Sequence, residues 1–368
     1  MAQKLAQGGS ERQLTEIATG LDRRLFAPHV AVLRPGGVRL DELRAAGVPT
    51  VCFPLHSFTS PSAITAAWRL SRYLRRHKIG LAHSFDVPAN LIMVPVARAS
   101  GVRVVLSSQR AFRSLTPKQY HPLMRFSDRL VNAIVVNCKA LERHLMSDEG
   151  VPASRIRLCY NGINTQMFRR YRREQPSELV GASVVVGIVC ALRPEKDLPT
   201  LVKGFALARR QHPGMRLVIV GDGEMRDPLE RLSEDLGERS HCVFVPSTTA
   251  VPQWLSSIDI FVLPSQSEAL SNSLMEAMAC GCAPVASDIG GNGELVEHGE
   301  RGLLFRAGDA QELARHLTTL AGDEALRVRF AEASRRFIHE NFSTANSIRR
   351  MTEIYLGTIS TSATGGTK

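Results

Sequence analysis

Aromatic side chains make up only 6% of this 368-residue chain, too few for the stacking platform on which single-stranded nucleic acid is bound. No run of about eighteen apolar residues occurs, so no membrane-spanning helix is expected. The opening residues, Met1 to Gly9, lack the apolar centre of a secretory signal. Seven cysteines are scattered along the chain, and their odd number argues against a disulfide framework. Cys280 and Cys282 form an isolated C-x-C with no second pair and no histidine at zinc spacing, so both read as small buried residues. A reducing cytoplasm is the expected location.

Acidic residues are scarce in one half only. Residues 1–175 carry 27 Lys and Arg against 11 Asp and Glu, a net of +16. The remainder carries 19 against 24, a net of −5, which leaves the overall +11. Such asymmetry implies that the first half meets something anionic. No RNP, KH, zinc-finger or helix-turn-helix pattern accompanies the charge, so nucleic acid is not an expected partner. An anionic membrane surface or a phosphorylated lipid acceptor fits better, and peripheral attachment at the inner face of the membrane stays open. The stretch Ala67–Lys78 reads as a helix with one cationic flank and aromatic neighbours, which suits a membrane surface or an ordinary solvated helix equally.

With 44% apolar and 22% charged residues, the chain is long enough for two separately cored domains. Strand-like runs stand at His29–Leu33, Thr50–Phe53, Gly80–His83, Val102–Leu106 and Ala133–Val136, with helix-period segments between them. The pattern restarts at Ser183–Cys190 and continues with Arg216–Val220, Cys242–Val245, Ile258–Leu263 and Ala283–Ala286. Alternating units with continuously apolar strands predict an α/β fold with parallel sheets covered on both faces. The expected division is a first domain at 1–168, a linker at 169–182 that includes Pro176, and a second domain at 183–340. A C-terminal helix at 341–357 crosses back over the first domain, and a polar tail at 358–368 is disordered.

The chemistry concentrates in Ser265–Gly281. A buried strand ending at Pro264 is followed by a small polar loop and a helix, with Glu268 in the loop and Glu276 near the helix start. Strand, loop and helix N-terminus together present amides and a positive dipole end to a phosphate. A diphosphate joining two polyhydroxylated units would place one carboxylate on each. The words from Ser267 to Gly281, continuing through Ala283–Gly291 and Glu294, resemble the E-x7-E signature of retaining glycosyltransferases of family 4 with the GT-B fold. That resemblance implies two Rossmann-like, doubly wound domains facing a cleft. It also implies metal-independent transfer of a sugar from a UDP- or GDP-sugar to a glycan or lipid-linked acceptor, as in envelope polysaccharide synthesis. No further cofactor is expected.

Further residues follow from the same reading. Ala191-Leu-Arg193-Pro-Glu-Lys196-Asp197 follows a buried strand, where ligands of open α/β sheets bind; Arg193 and Lys196 can converge there on one anion. The run resembles the family's G-R-L-x-x-x-K-G diphosphate element, with Ala191 and Asp197 in place of its first and last glycines. Gly221 and Gly223 mark a tight turn after the next strand, resembling the loop beside the nucleotide. Glu268, Arg193 and Lys196 are thus the expected catalytic residues. Glu276, the amides of Asn272, Ser273 and Leu274, and Gly9 are expected to bind donor. Nothing in these side chains separates uracil from guanine.

The first domain should hold the acceptor, with Arg110 and His83 as candidates, although a histidine at a strand end serves structure more often. Gly8-Gly9-Ser10-Glu11-Arg12-Gln13 resembles the family's opening turn, yet only seven residues precede it and none form a credible strand. Loss of that central strand would bare two strand edges and leave a slot in the core. This keeps a catalytically impaired nucleotide-sugar-binding protein as an alternative, beside a nucleotide-sugar epimerase.

Overall fold

Continuous apolar runs such as Val184–Val189 and Ile260–Leu263 are buried from end to end, which only a sheet covered on both faces permits. The computed structural model describes residues 1–6, 8–171 and 176–364, and it divides into two units. One comprises residues 1–162 together with residues 344 onward; the other is Ile163–Ser343.

In the second unit, six strands form one parallel sheet. With β1 to β6 reserved for the first unit, these are β7 (Val184–Val189), β8 (Met215–Val220), β9 (Cys242–Val245), β10 (Ile260–Leu263), β11 (Ala283–Ser287) and β12 (Leu303–Phe305). Their order is β12-β11-β10-β7-β8-β9. The chain leaves β7 to build one side of the sheet through β8 and β9, then returns to lay β10 on the opposite side of β7. Loops leaving β7 and β10 therefore diverge to opposite faces and open a crevice at the strands' carboxyl ends, which is where open α/β sheets bind ligands.

The first unit contains β1 (Val30–Val32) paired with β2 (Thr50–Cys52), and a four-stranded sheet of β3 (Leu81–Ser84), β4 (Val104–Gln109), β5 (Ala133–Val136) and β6 (Ile156–Leu158). All of these pairings are parallel. No strand precedes the helix Gly9–Gly20, as expected, but the slot between the two sheets is filled by the first residues, which corrects the picture of a bared core. The Ala2 amide donates to the Ala31 carbonyl and the Ala2 carbonyl accepts from Leu33, while on the other side the Phe85 amide donates to the Met1 carbonyl. Ala2 makes a single parallel bridge to Val32, and Ala2 and Leu5 are buried. One bridge is too short to register as a strand, yet it satisfies backbone groups on both neighbours.

A second correction concerns the C-terminus. The helix Thr344–Thr364 runs through most of the segment expected to be a disordered tail; residues 365–368 lie outside the described residues. Met351, Ile354 and Tyr355 join the core formed with Leu14 and Ile17 of the helix Gly9–Gly20 and with Leu21, which follows it. Ile359 packs against that core, so the apolar stripe extends the helix beyond Gly357. The Thr358, Ser360 and Thr361 hydroxyls donate to carbonyls one turn back, so these polar side chains are satisfied within the helix. Met351→Ala should cost about 2–5 kcal/mol in urea denaturation, whereas the exposed Glu353→Ala should stay within about 0.5 kcal/mol.

Candidate functional site

The crevice between β7 and β10 is built by three loops whose backbones interlock. After β7, Cys190 donates its amide to the Val220 carbonyl and Leu192 donates to Asp222, while the Met225 amide donates back to Leu192. That approach leaves no room for side chains. A Cβ on Gly221 would stand 1.9 Å from the Cys190 oxygen, and one on Gly223 would stand 2.3 Å from the Leu192 oxygen. The third loop follows β10, where the Gln266 amide donates 2.9 Å to the Glu195 carbonyl.

Asp197 has φ +47° and ψ +45°, the left-handed region, which Gly visits freely and Asp tolerates better than most residues. Here it stands where the element that this run resembles has a glycine. Its carboxylate accepts from the Thr200 hydroxyl at 2.8 Å and from the Gln266 side-chain amide at 3.2 Å, ties a glycine could not make.

Lys196 and Glu268 meet at this switch point as an ion pair, hydrogen-bonded from Nζ to Oε2. Their side chains are only 18% and 15% exposed. Burial disfavours the Lys196 charge, but the adjacent Glu268 carboxylate outweighs that and holds the ammonium pKa above its ordinary 10.5. The pair's contribution to stability is therefore in place below pH 10.5 and is lost as pH rises through the elevated value. Arg193 does not join it: its guanidinium is 66% exposed and stands 3.8 Å from Glu195. Burial pushes the neighbouring Cys190 thiol up to about 12, so it stays neutral.

The helix Asn272–Ala279 begins at Ser271, whose hydroxyl caps it by accepting from the Leu274 amide at 3.3 Å. Of the three amides expected to face a donor, that of Leu274 is thus engaged by the cap. Glu276 lies one turn in and is 4% exposed. Behind the loop, the Ser287 hydroxyl donates 2.6 Å to the Ser265 carbonyl and Asn292 donates 3.0 Å to Ser287. The Ser265 hydroxyl and the Asn292 Oδ1 are buried without a hydrogen-bond partner.

Within the first unit, His83 and Arg110 belong to one cluster. His83, at the end of β3, shares Nδ1 with the Tyr355 hydroxyl at 2.8 Å and Nε2 with the Ser108 hydroxyl at 2.9 Å. Burial, reinforced by nearby positive charge that includes Arg110, holds its pKa well below 6.5. Arg110 donates 2.5 Å to the Asn161 Oδ1 and lies 5.6 Å from the Phe85 ring centroid; burial lowers its pKa to about 10, so it remains charged at neutral pH. Gly9 opens the helix Gly9–Gly20 and is exposed. Gln13 of that helix exchanges two hydrogen bonds with Gly162, at 2.7 and 2.8 Å. Sequence reasoning passed over Glu195, Gln266 and Tyr355. The first two stand beside residues it did select, and Tyr355 is 272 positions from its partner.

Residues 7–167 match the family model described as Glycosyltransferase Family 4, and residues 172–337 match Glycosyl transferases group 1. The chain carries two glycosyltransferase domains. The lipopolysaccharide core biosynthesis glycosyltransferase LpsE of Rhizobium meliloti is 28% identical over 350 residues, 95% of each chain. A GDP-mannose-dependent phosphatidylinositol monomannoside mannosyltransferase of Mycobacterium tuberculosis is 26% identical over 321 residues, 81% of this chain and 80% of that one. Exopolysaccharide phosphotransferase SCO2592 of Streptomyces coelicolor is 34% identical over 205 residues, but the match spans only 21% of its length. Among solved structures, Anabaena Alr3699/HepE in complex with UDP-glucose has TM-score 0.83 at 20% identity, over 96% of this chain and 98% of that one. The glycosyltransferase fold is GT-B.

The interlocked loops make a direct prediction. Gly221→Ala, at φ +142° and against a carbonyl, should lower unfolding free energy by about 1–3 kcal/mol or more. Gly237→Ala, at φ +73° in open space, should cost about 1 kcal/mol. Equal losses in denaturant melts would refute the close-approach explanation.

Proposed function

We propose that this chain transfers a sugar from a nucleoside-diphosphate sugar to an acceptor hydroxyl, with retention at the anomeric carbon, in the synthesis of a polysaccharide or a lipid-linked glycan. The observation that carries the proposal is the Lys196–Glu268 pair at the carboxyl ends of β7 and β10. Relatives named for lipopolysaccharide core synthesis and for mannosyl transfer to a phosphatidylinositol glycolipid support the acceptor class. A structural neighbour that binds UDP-glucose supports the donor class.

In this reading Lys196 turns from Glu268 toward the diphosphate, and the exposed Arg193 swings in to join it. Negative charge builds on the departing diphosphate in the transition state, and fixed cations together with the amides of Asn272 and Ser273 at the helix start offset it. Such electrostatic stabilisation typically contributes several kcal/mol, without a metal ion. Glu268, released from Lys196, holds sugar hydroxyls and fixes the ring for same-face departure and attack. Glu276 takes the ribose hydroxyls, and the Gly221–Gly223 turn and Gly9 let backbone approach the nucleotide. His83, neutral and fixed between two hydroxyls, and Arg110 serve the acceptor side, where Arg110 suits a phosphorylated acceptor.

Calorimetric titration of UDP, GDP and ADP and their sugars tests the assignment. One nucleotide should bind saturably and resist EDTA. Lys196→Ala should weaken it about tenfold or more, the equivalent of roughly 1.4 kcal/mol, and Glu276→Ala should weaken it similarly. Arg193→Ala should act less on binding than on turnover, because the free guanidinium is solvated. No binding of any nucleotide by the folded protein would end this reading, and an inverted product in NMR would end its retaining part.

A further inference from the structure

The basic charge of the first unit is not spread evenly. Between Glu42 and Asp128 the chain has a single carboxylate, Asp86, and that one accepts from the backbone amides of Gln3 and Ala89. Asp128 itself is paired with Arg113, and Glu149 with Arg113 and Arg125. Asp86, Asp128 and Glu149 are therefore already engaged by amides or arginines.

The helix Pro61–Arg76 lies within this stretch and contains no acidic residue. It buries only Ala66, Leu70 and Leu74. Its outward stripe begins with Ile64 and Trp68, 77% and 59% exposed, and continues at helical spacing into the exposed Arg72, Arg75 and Arg76. The Arg72 guanidinium lies 5.6 Å from the Trp68 ring centroid. A solvated helix accounts for the arginines but not for an outward isoleucine and tryptophan in register with them. The pattern recurs nearby. The helix His121–Leu130 packs on the same neighbour, Val87–Ala99, as Pro61–Arg76 does, and it leaves Leu123 and Phe126 exposed along with Arg125 and Arg129. None of the helices among the described residues is long and apolar enough to cross a membrane.

We propose that the outer face of Pro61–Arg76, continued by Leu123 and Phe126, docks on an anionic lipid bilayer. Ile64 and Trp68 enter the boundary between headgroups and acyl chains, while the arginines take lipid phosphates. The choice of a bilayer over a soluble polyanion rests on the apolar side chains, which a hydrated polyanion would leave in water. This proposal does not depend on the transferase reading.

The chain has two tryptophans, Trp68 and Trp254, so Trp254→Phe leaves Trp68 as the sole reporter in the full-length protein. Phosphatidylcholine vesicles containing phosphatidylglycerol should bind the protein in a salt-weakened manner, shift Trp68 emission to the blue and allow its quenching by brominated acyl chains. Phosphatidylcholine alone should bind far less. The exposed pair Ile64→Ser/Trp68→Ser and the triple Arg72→Gln/Arg75→Gln/Arg76→Gln should each lose about tenfold or more in vesicle affinity while melting like the parent. The proposal is overturned by absence of vesicle binding. Vesicle binding with unchanged Trp68 emission, or undiminished in the Ile64/Trp68 variant, overturns it too, as does binding of soluble polyphosphate without binding of vesicles.

Discussion

A partly buried ammonium and carboxylate meet where β7 and β10 part, and neither can be removed without leaving the other uncompensated. For well-buried pairs such removal costs about 3–5 kcal/mol. Much of the surrounding geometry follows from this contact. Lys196 reaches Glu268 because Asp197 turns the chain through a left-handed conformation immediately after it. The loop bearing Glu268 stays in place because its Gln266 amide donates to Glu195, one residue before Lys196. The Gly221–Gly223 turn buttresses the loop after β7, which carries Lys196, backbone against backbone. A charge pair, two glycines and a left-handed aspartate thus form one assembly at the mouth of a parallel sheet.

The pair also sets the chemistry available. Under the proposed function, a lysine held by a carboxylate is poised but occupied, and an incoming diphosphate would have to compete for it. Glu268 would repel that diphosphate while the two shared Lys196, and it would become free for hydroxyl groups once the lysine moved. Donor binding and carboxylate release would then be two sides of one exchange. The first unit works differently. Its polar cluster of His83, Ser108 and Tyr355 is closed by a residue from the last helix, so the candidate His83 rests on a residue 272 positions away that reaches it only in the folded unit.

Much of this was legible in sequence for a specific reason. Strands buried on both faces are unbroken apolar runs, so Val184–Val189 and Ile260–Leu263 announced themselves, and the loops after them were the natural places to seek Arg193, Lys196, Glu268 and Glu276. What escaped notice depended on contacts between distant residues. The Lys196–Glu268 pairing spans 72 positions and exists only because β10 returns beside β7. Ala2 gave no strand signal because one bridge has no periodicity. Residues 358–364 looked like a tail because Ser and Thr dominate, and their hydroxyl bonds to preceding carbonyls leave no trace in composition. Asp197 departs from the resembled element's glycine, and the Thr200 and Gln266 partners that give it a reason to be there are not legible in sequence.

The most direct measurement of this account is the affinity of the free nucleoside diphosphate for Glu268→Gln, compared with the parent and with Lys196→Ala. If Lys196 is shared between carboxylate and diphosphate, neutralising Glu268 should tighten the bare nucleotide severalfold, even as sugar transfer collapses, and Lys196→Ala should weaken it. An unchanged or weakened affinity in Glu268→Gln would contradict the exchange and remove the pair from the centre of the mechanism.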